Sequence, residues 1–213
     1  MNLFSEAIAE GRHRLVLLTG AEAIDNARRL NKSGTKPTWS LPSTSDPTLI
    51  WADRPMVSDH ERAHGIWQAA HVYPLFENAL RDHLGRSLDA HQAAMGELFA
   101  GFSVVASTSP HAWFPIARSA DEIATPSPGN RFVGWPYTKF MNAMNQVNQA
   151  AALLLTSTGH ARSLGVPEDK WIHLHGCADT TEIWHVSERV DYHSCPAIGV
   201  MGARTLAMAR RGI

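Results

Sequence analysis

The sharpest chemical pattern in the chain is His60-Glu61-Arg62-Ala63-His64. On a helix, two histidines four residues apart share one face and can both reach a single metal ion. A glutamate between them is the residue type that serves as general base toward a metal-bound water, the chemistry of zinc hydrolases. The neighbours argue against that use. Ser58, Asp59, Arg62 and Gly65 mark an exposed helix start, whereas a zinc cleft needs an apolar surround. The extended form of the pattern wants glycine where Trp67 stands, and His71 falls at the wrong spacing for a third ligand. A chain with 12 histidines also produces such matches by chance.

A second cluster is His173, His175 and Cys177, which alternate along an apolar run and so would share one strand face. Imidazole and thiolate together suit a transition metal. Polar-aromatic packing is the simpler reading and is preferred. Cys195 precedes Pro196 and a helix, with His193 two residues back, a setting that can lower a thiol pKa. Cys177 ends an apolar strand and is expected to be inert. Glu22 follows a strand, where open α/β sheets place ligands, or else caps the next helix. The chain has neither a Gly-rich phosphate loop nor a Gly-x-Ser-x-Gly nucleophile turn.

Positioning these residues requires a scaffold. Residues 3–10 read as a short helix stopped by Gly11. Residues 14–20, Arg-Leu-Val-Leu-Leu-Thr-Gly, read as a strand buried on both faces, and residues 21–30 as a helix. A Ser, Thr, Pro and Asp-rich loop follows, then a helix over 69–84 and another over 88–102 with Ser87 as N-cap. Residues 107–136 hold five prolines and are irregular. Residues 142–156 read as an apolar helix running into a strand, 171–177 as a strand, and 199–211 as a final helix. The chain is therefore α/β, with an insertion of roughly a hundred residues, and insertions of that length inside a sheet domain carry function.

Composition sets the outer limits. Lys and Arg number 19 against 20 Asp and Glu, giving a net charge of -1 and no general pull toward nucleic acid or an anionic membrane. Two cysteines do not make a disulfide framework, so a cytoplasmic location is expected. No run of about 18 apolar residues exists to span a membrane, and residues 1–6 do not form a secretory signal.

Several segments together resemble the acetyl-CoA acetyltransferase branch of the thiolase superfamily, close to sterol-carrier-protein-type thiolases. They are Leu17-Leu18-Thr19-Gly20-Ala21-Glu22-Ala23, Tyr73-Pro74-Leu75-Phe76-Glu77-Asn78-Ala79, Pro136-Tyr137-Thr138-Lys139, Asn148-Gln149-Ala150-Ala151-Ala152 and Ser194-Cys195-Pro196-Ala197-Ile198-Gly199. The resemblance implies the central segment of a thiolase-like fold. Residues 1–30 and 142–160 would belong to the first α/β half, 31–141 to an inserted loop domain that helps hold coenzyme A, and 161–213 to the start of the second half. It places the nucleophile and the catalytic histidines outside these positions, so no catalytic residue and no metal ligand is assigned. Tyr137, Lys139 and Asn148 are the expected ligand-facing positions, with a coenzyme A thioester as substrate and no covalently bound cofactor. The isolated chain is expected to be inactive, a fragment or a split-enzyme subunit. It should expose an apolar surface to be covered by a second copy or a partner chain. A zinc hydrolase using His60, Glu61 and His64, and a non-catalytic acyl-CoA or lipid-binding scaffold, are the alternatives.

Overall fold

The computed structural model describes residues 1–39, 41–51 and 54–212. In chain order its elements are helix α1 (Asn2–Ala9), strand β1 (Leu15–Ala23), helices α2 (Ile24–Lys32), α3 (Asp59–Ala63), α4 (Ala69–His83), α5 (Leu88–Ser107) and α6 (Ala120–Ala124), strands β2 (Phe132–Gly134), β3 (Tyr137–Thr138) and β4 (Asn148–Thr156), and helices α7 (Thr158–Ser163) and α8 (Pro196–Met208). They divide between two compact units. The first holds Met1–Trp39, Gln146–Glu182 and Cys195–Ile213; the second holds Ser40–Asn145 and Ile183–Ser194. The mixed α/β class expected from the sequence is what the chain adopts.

The first unit is built on an antiparallel ladder in which β1 pairs with β4 from Leu15↔Thr156 to Ala23↔Asn148. The ladder corrects three sequence expectations. Residues 148–156, rich in alanine and leucine, have helix propensity, yet pairing with β1 makes them a strand from end to end, and tertiary context overrides propensity. The same pairing carries β1 on to Ala23, so the following helix starts at Ile24 instead of Ala21. Finally, β1 is not buried on both faces. Opposed residues in an antiparallel pair share a face, and on one face Leu17 and Leu154 stand opposite each other at 60% and 67% exposure.

Residues 171–177 are not a strand. They run outside any helix or strand, with Ile172 93% exposed, because no ladder partner lies beside them among the described residues. Gly176 instead packs on α8, where a Cβ would stand 2.2 Å from the Thr205 carbonyl oxygen. The run ends close to its own helix and has no sheet to join.

The core of the second unit is Met95, Ile123 and Met141, with Phe99, Ala100, Ala124, Tyr137 and Phe140 packed around them. Two glycines allow the close approaches. A Cβ at Gly96 would lie 2.6 Å from the Ala120 carbonyl, where α5 meets α6, and one at Gly134 would lie 2.4 Å from the Ala70 carbonyl, where β2 meets α4. Ser58, Ser87, Ser119 and Ser157 each cap a helix by accepting a backbone N–H three residues on.

The accessible surface is 16103 Å². A compact monomer of 23.4 kDa exposes about 9,700 Å², and two separate domains of half that mass about 12,000 Å². Large apolar side chains are among the exposed residues, including Leu15, Leu17, Leu153 and Leu154 on the ladder and Leu98, Phe102 and Val105 along α5. Replacing Leu17 and Leu154 by lysine is expected to change stability by no more than about 0.5 kcal/mol, since both are exposed. It should also lower the binding of a hydrophobic dye and any concentration-dependent self-association seen by sedimentation. Met95→Ala, by contrast, should cost about 3 kcal/mol in urea unfolding. A Leu17/Leu154 double variant as destabilised as the core variant would show that the ladder face is covered in solution.

Candidate functional site

Tyr137 and Lys139 lie on the hairpin of β2 and β3, and what holds that hairpin is a single buried amide. Asn130 is fully buried. Its Nδ2 donates to the carbonyls of Glu122 (3.1 Å), Ile123 (3.0 Å) and Thr125 (3.1 Å), and its Oδ1 accepts from Phe140 N–H at 2.9 Å. One side chain thus caps the C-terminal end of α6 and pins the chain beyond β3. Thr138, also fully buried, donates from Oγ1 to the Ile123 carbonyl at 2.7 Å. Trp135-Pro136 is a cis peptide at the hairpin turn.

The Tyr137 hydroxyl does not point free. It donates to one carboxylate oxygen of Glu77 on α4, and the other oxygen lies 2.7 Å from His91 Nε2 on α5. Burial, and then the Glu77 carboxylate, push the Tyr137 phenol well above the ordinary tyrosine range. His91 is 3% exposed and its Nδ1 has no protein partner among the described residues. The network joins two helices to the hairpin through charge-assisted bonds at low solvent access, the setting in which such bonds are strongest. With its proton engaged, Tyr137 can offer a ligand its ring and the acceptor side of its hydroxyl. Lys139 is exposed, at the start of a 3-10 turn over Lys139–Met141.

Asn148 belongs to the other unit. Its Oδ1 accepts from Asn26 N–H at 3.1 Å and its Nδ2 donates to Asn26 Oδ1 at 3.0 Å. The amide secures the first turn of α2 to the end of the ladder. The structure therefore brings Tyr137 and Lys139 together on one hairpin and places Asn148 in a separate unit. Glu77, His91 and Asn130 were missed by sequence reasoning. A signal existed for one of them: His91 stands four and eight residues before Met95 and Phe99, on the core face of α5.

The His60-Glu61-x-x-His64 pattern has a different use. Its imidazoles are close, with ring centroids 4.4 Å apart, and His64 Nδ1 lies 2.8 Å from the His60 carbonyl. Glu61, however, is buried, and both carboxylate oxygens are occupied. One accepts from Ser58 N–H at 2.8 Å, completing a capping box; the other accepts from Ser187 N–H at 2.8 Å. Ser187 lies in the segment 183–194, which binds the second unit along its length. Trp184 Nε1 donates to the Pro55 carbonyl at 2.7 Å, Tyr192 meets Phe76 edge to face at 5.4 Å, Arg189 lies over the Phe76 ring at 5.3 Å, and His193 stacks on His83 at 4.1 Å. The apparent catalytic glutamate is the anchor of a strap. Among the described residues no group of three or more His, Cys, Asp or Glu side chains is placed to hold a metal ion.

Cys195 caps α8, but its neighbour is a carboxylate. Its thiol donates to Glu182 Oε2 at 3.1 Å, and Ala197 N–H donates to the same oxygen at 3.3 Å. A carboxylate thus already occupies the N-terminus of α8 beside the thiol. Cys177 is half-buried on the irregular run before α8.

No family model matches the chain, and no curated protein does. A solved structure does: a monomeric SCP2-thiolase like protein type 1 from Mycobacterium smegmatis, 34% identical, with a TM-score of 0.76. The fold is SCP2-thiolase-like. The match covers 100% of this chain and 39% of the Mycobacterium smegmatis protein, so the chain spans well under half the length of its neighbour. The segments that carried the resemblance in the sequence thus sit in an SCP2-thiolase-like fold.

The strap gives a measurable consequence. Ser187 N–H, and to a smaller degree Ser58, outweigh burial and hold the Glu61 carboxyl at about 2, below its ordinary 4.5. A folded-state pKa below the unfolded one means stability is present in full above 4.5 and is lost as pH falls toward 2. Amide protection of residues 184–193 is expected to hold from neutral pH to pH 4.5 and to fall below it. Glu61→Gln should speed tryptic cleavage after Arg189 about tenfold at neutral pH, the loss of one hydrogen bond to a charged acceptor. Equal cleavage of the two proteins would place the anchor elsewhere.

Proposed function

We propose that these residues form the acyl-CoA-binding scaffold of a thiolase-like acyltransferase of the acetyl-CoA acetyltransferase branch. They would serve acyl transfer on coenzyme A thioesters with a nucleophile supplied from outside this sequence. The observation that carries this reading is the 34% identity across the whole chain to an SCP2-thiolase like protein. Thiolase-type chemistry needs a thiolate to take the acyl group from the thioester and release the coenzyme A thiol. It also needs a base for the α-carbon proton and donors for the oxyanion. The Cys195 thiol donates to Glu182 and Glu61 is committed to backbone, so in this reading neither supplies the nucleophile or the base.

In this reading the second unit contacts the coenzyme A moiety through Tyr137 and Lys139. The exposed ladder is where further polypeptide packs, from the same protein, a second copy or a partner. The reaction would take place in the cytoplasm, where both cysteines stay reduced. Among the described residues no helix is long and apolar enough to cross a membrane.

The test is intact-mass analysis of the reduced chain after incubation with acetyl-CoA and with a longer acyl-CoA, beside calorimetric titration with coenzyme A. Binding without a covalent adduct is expected. A stoichiometric, hydroxylamine-labile adduct on Cys195 or Cys177 would overturn the assignment of the nucleophile, and absence of binding would overturn the scaffold reading.

A further inference from the structure

Glu61 is taken up by the strap, but the histidines on either side of it are not. His60 and His64 are exposed on α3 and its C-terminal cap, their rings 4.4 Å apart with planes inclined at 40°. His64 Nδ1 lies 2.8 Å from the His60 carbonyl oxygen. A carbonyl only accepts, so Nδ1 carries the proton and Nε2 presents a bare lone pair. That is the tautomer a metal ion takes, and a backbone carbonyl on the other ring nitrogen is the outer support that metal-bound histidines share. No group among the described residues hydrogen-bonds the His60 ring, so it can turn toward the same point.

The spacing sets the reach. Residues four apart lie one above the other on a helix. A metal–imidazole bond is about 2.1 Å long, so two nitrogens on one ion are at most about 4.2 Å apart. Rings with centres 4.4 Å apart meet that limit with small side-chain rotations. The turn that carries them is itself held. Five residues make no stable helix alone. Here the Ser58–Glu61 capping box closes the N-terminus of α3, and the other Glu61 oxygen ties it to Ser187 N–H. The glutamate between the histidines thus fixes the backbone that presents them, and less ordering is left to oppose the binding of an ion.

We propose that His60 and His64 form a two-imidazole chelate for a divalent transition-metal ion, copper(II) binding more tightly than nickel(II) or zinc(II), with water on the remaining coordination positions. Neutral imidazole suits these ions, and for a given set of nitrogen ligands copper(II) binds tightest. Magnesium and calcium take oxygen ligands and do not fit. Two protein ligands and water suffice, in keeping with the lack of any larger His, Cys, Asp or Glu group placed for a metal among the described residues. The ion staples one helical turn. It is not a hydrolytic centre, because backbone N–H groups engage both Glu61 oxygens.

The experiment is calorimetric titration of the chain, and of the His60→Gln and His64→Gln variants, with nickel(II) chloride in a non-chelating buffer. Electron paramagnetic resonance of each protein with one equivalent of copper(II) accompanies it. Both positions are exposed, and thermal unfolding without metal checks the fold of the variants. The other histidines and both cysteines remain in all three proteins, so a difference among them reads the pair. The unaltered chain should bind one equivalent of nickel at least about tenfold more tightly than either variant, the scale lost when even an outer partner of a metal ligand is removed. Its copper spectrum should carry the coupling of two ring nitrogens, and each variant should lose that signature. Equal nickel affinity in the three proteins would overturn the site. Loss in one variant alone would show binding by a single imidazole and overturn the chelate.

Discussion

The β1–β4 ladder is the contact on which the first unit depends. It joins Leu15–Ala23 to Asn148–Thr156. The clasp at its end, between Asn26 and Asn148, spans 122 residues of chain. Closing a loop of that length costs entropy that grows only slowly with length, so a long insertion can sit at the end of such a ladder provided the ladder forms. A ribbon of two strands is marginal in water by itself. Here leucine stands opposite leucine at Leu17↔Leu154 and Leu18↔Leu153, and alanine opposite glycine or alanine at Gly20↔Ala151 and Ala21↔Ala150. The chemistry of the ribbon is that of a sheet interior, while its surroundings among the described residues are those of a sheet edge.

The second unit solves a different problem, that of presenting a short irregular segment rigidly. Strands of two or three residues have little cohesion of their own. Asn130 supplies what the ladder lacks, since a single buried amide can satisfy several backbone groups at once. The Glu77 carboxylate does the same for side chains, receiving the Tyr137 hydroxyl and facing His91 Nε2. Fully engaged polar centres of this kind fix one arrangement, because leaving any member unpaired costs its desolvation in full.

How much of this was legible in the sequence depended on how local the cause was. Helix caps were readable: Ser87 starts α5 as its type and position imply, because a cap is decided within three residues. The class, mixed α/β, was readable from periodicity and turn residues. The strand over Asn148–Thr156 was half-read, since alanine and leucine favour helix until β1 pairs with them. Residues 171–177 were misread, because an apolar β-like run becomes a strand only when a neighbour accepts its hydrogen bonds. At the candidate site Tyr137 and Lys139 fall on one hairpin, but the partners that hold it, Glu77, His91 and Asn130, come from α4, α5 and the turn before β2. Only His91 is announced by its spacing, on the helix face shared with Met95 and Phe99. Glu61 shows the converse: a motif perfect in spacing whose glutamate is occupied by an amide 126 residues away.

That long-range bond bears on how the chain can be divided or recombined. By sequence the insertion is a cassette, a continuous block that could be excised, transplanted or replaced by a shorter loop. By structure it is not, because Ile183–Ser194 belongs with it. Trp184, Ser187, Tyr192 and His193 find their partners on Pro55, Glu61, Phe76 and His83. A chimaera that exchanged the block alone would leave an aromatic dodecapeptide with no seat, and a seat with a buried, unanswered carboxylate. Natural variation along the two stretches is therefore expected to be coupled, and any heritable recombination of this architecture has to move both pieces at once.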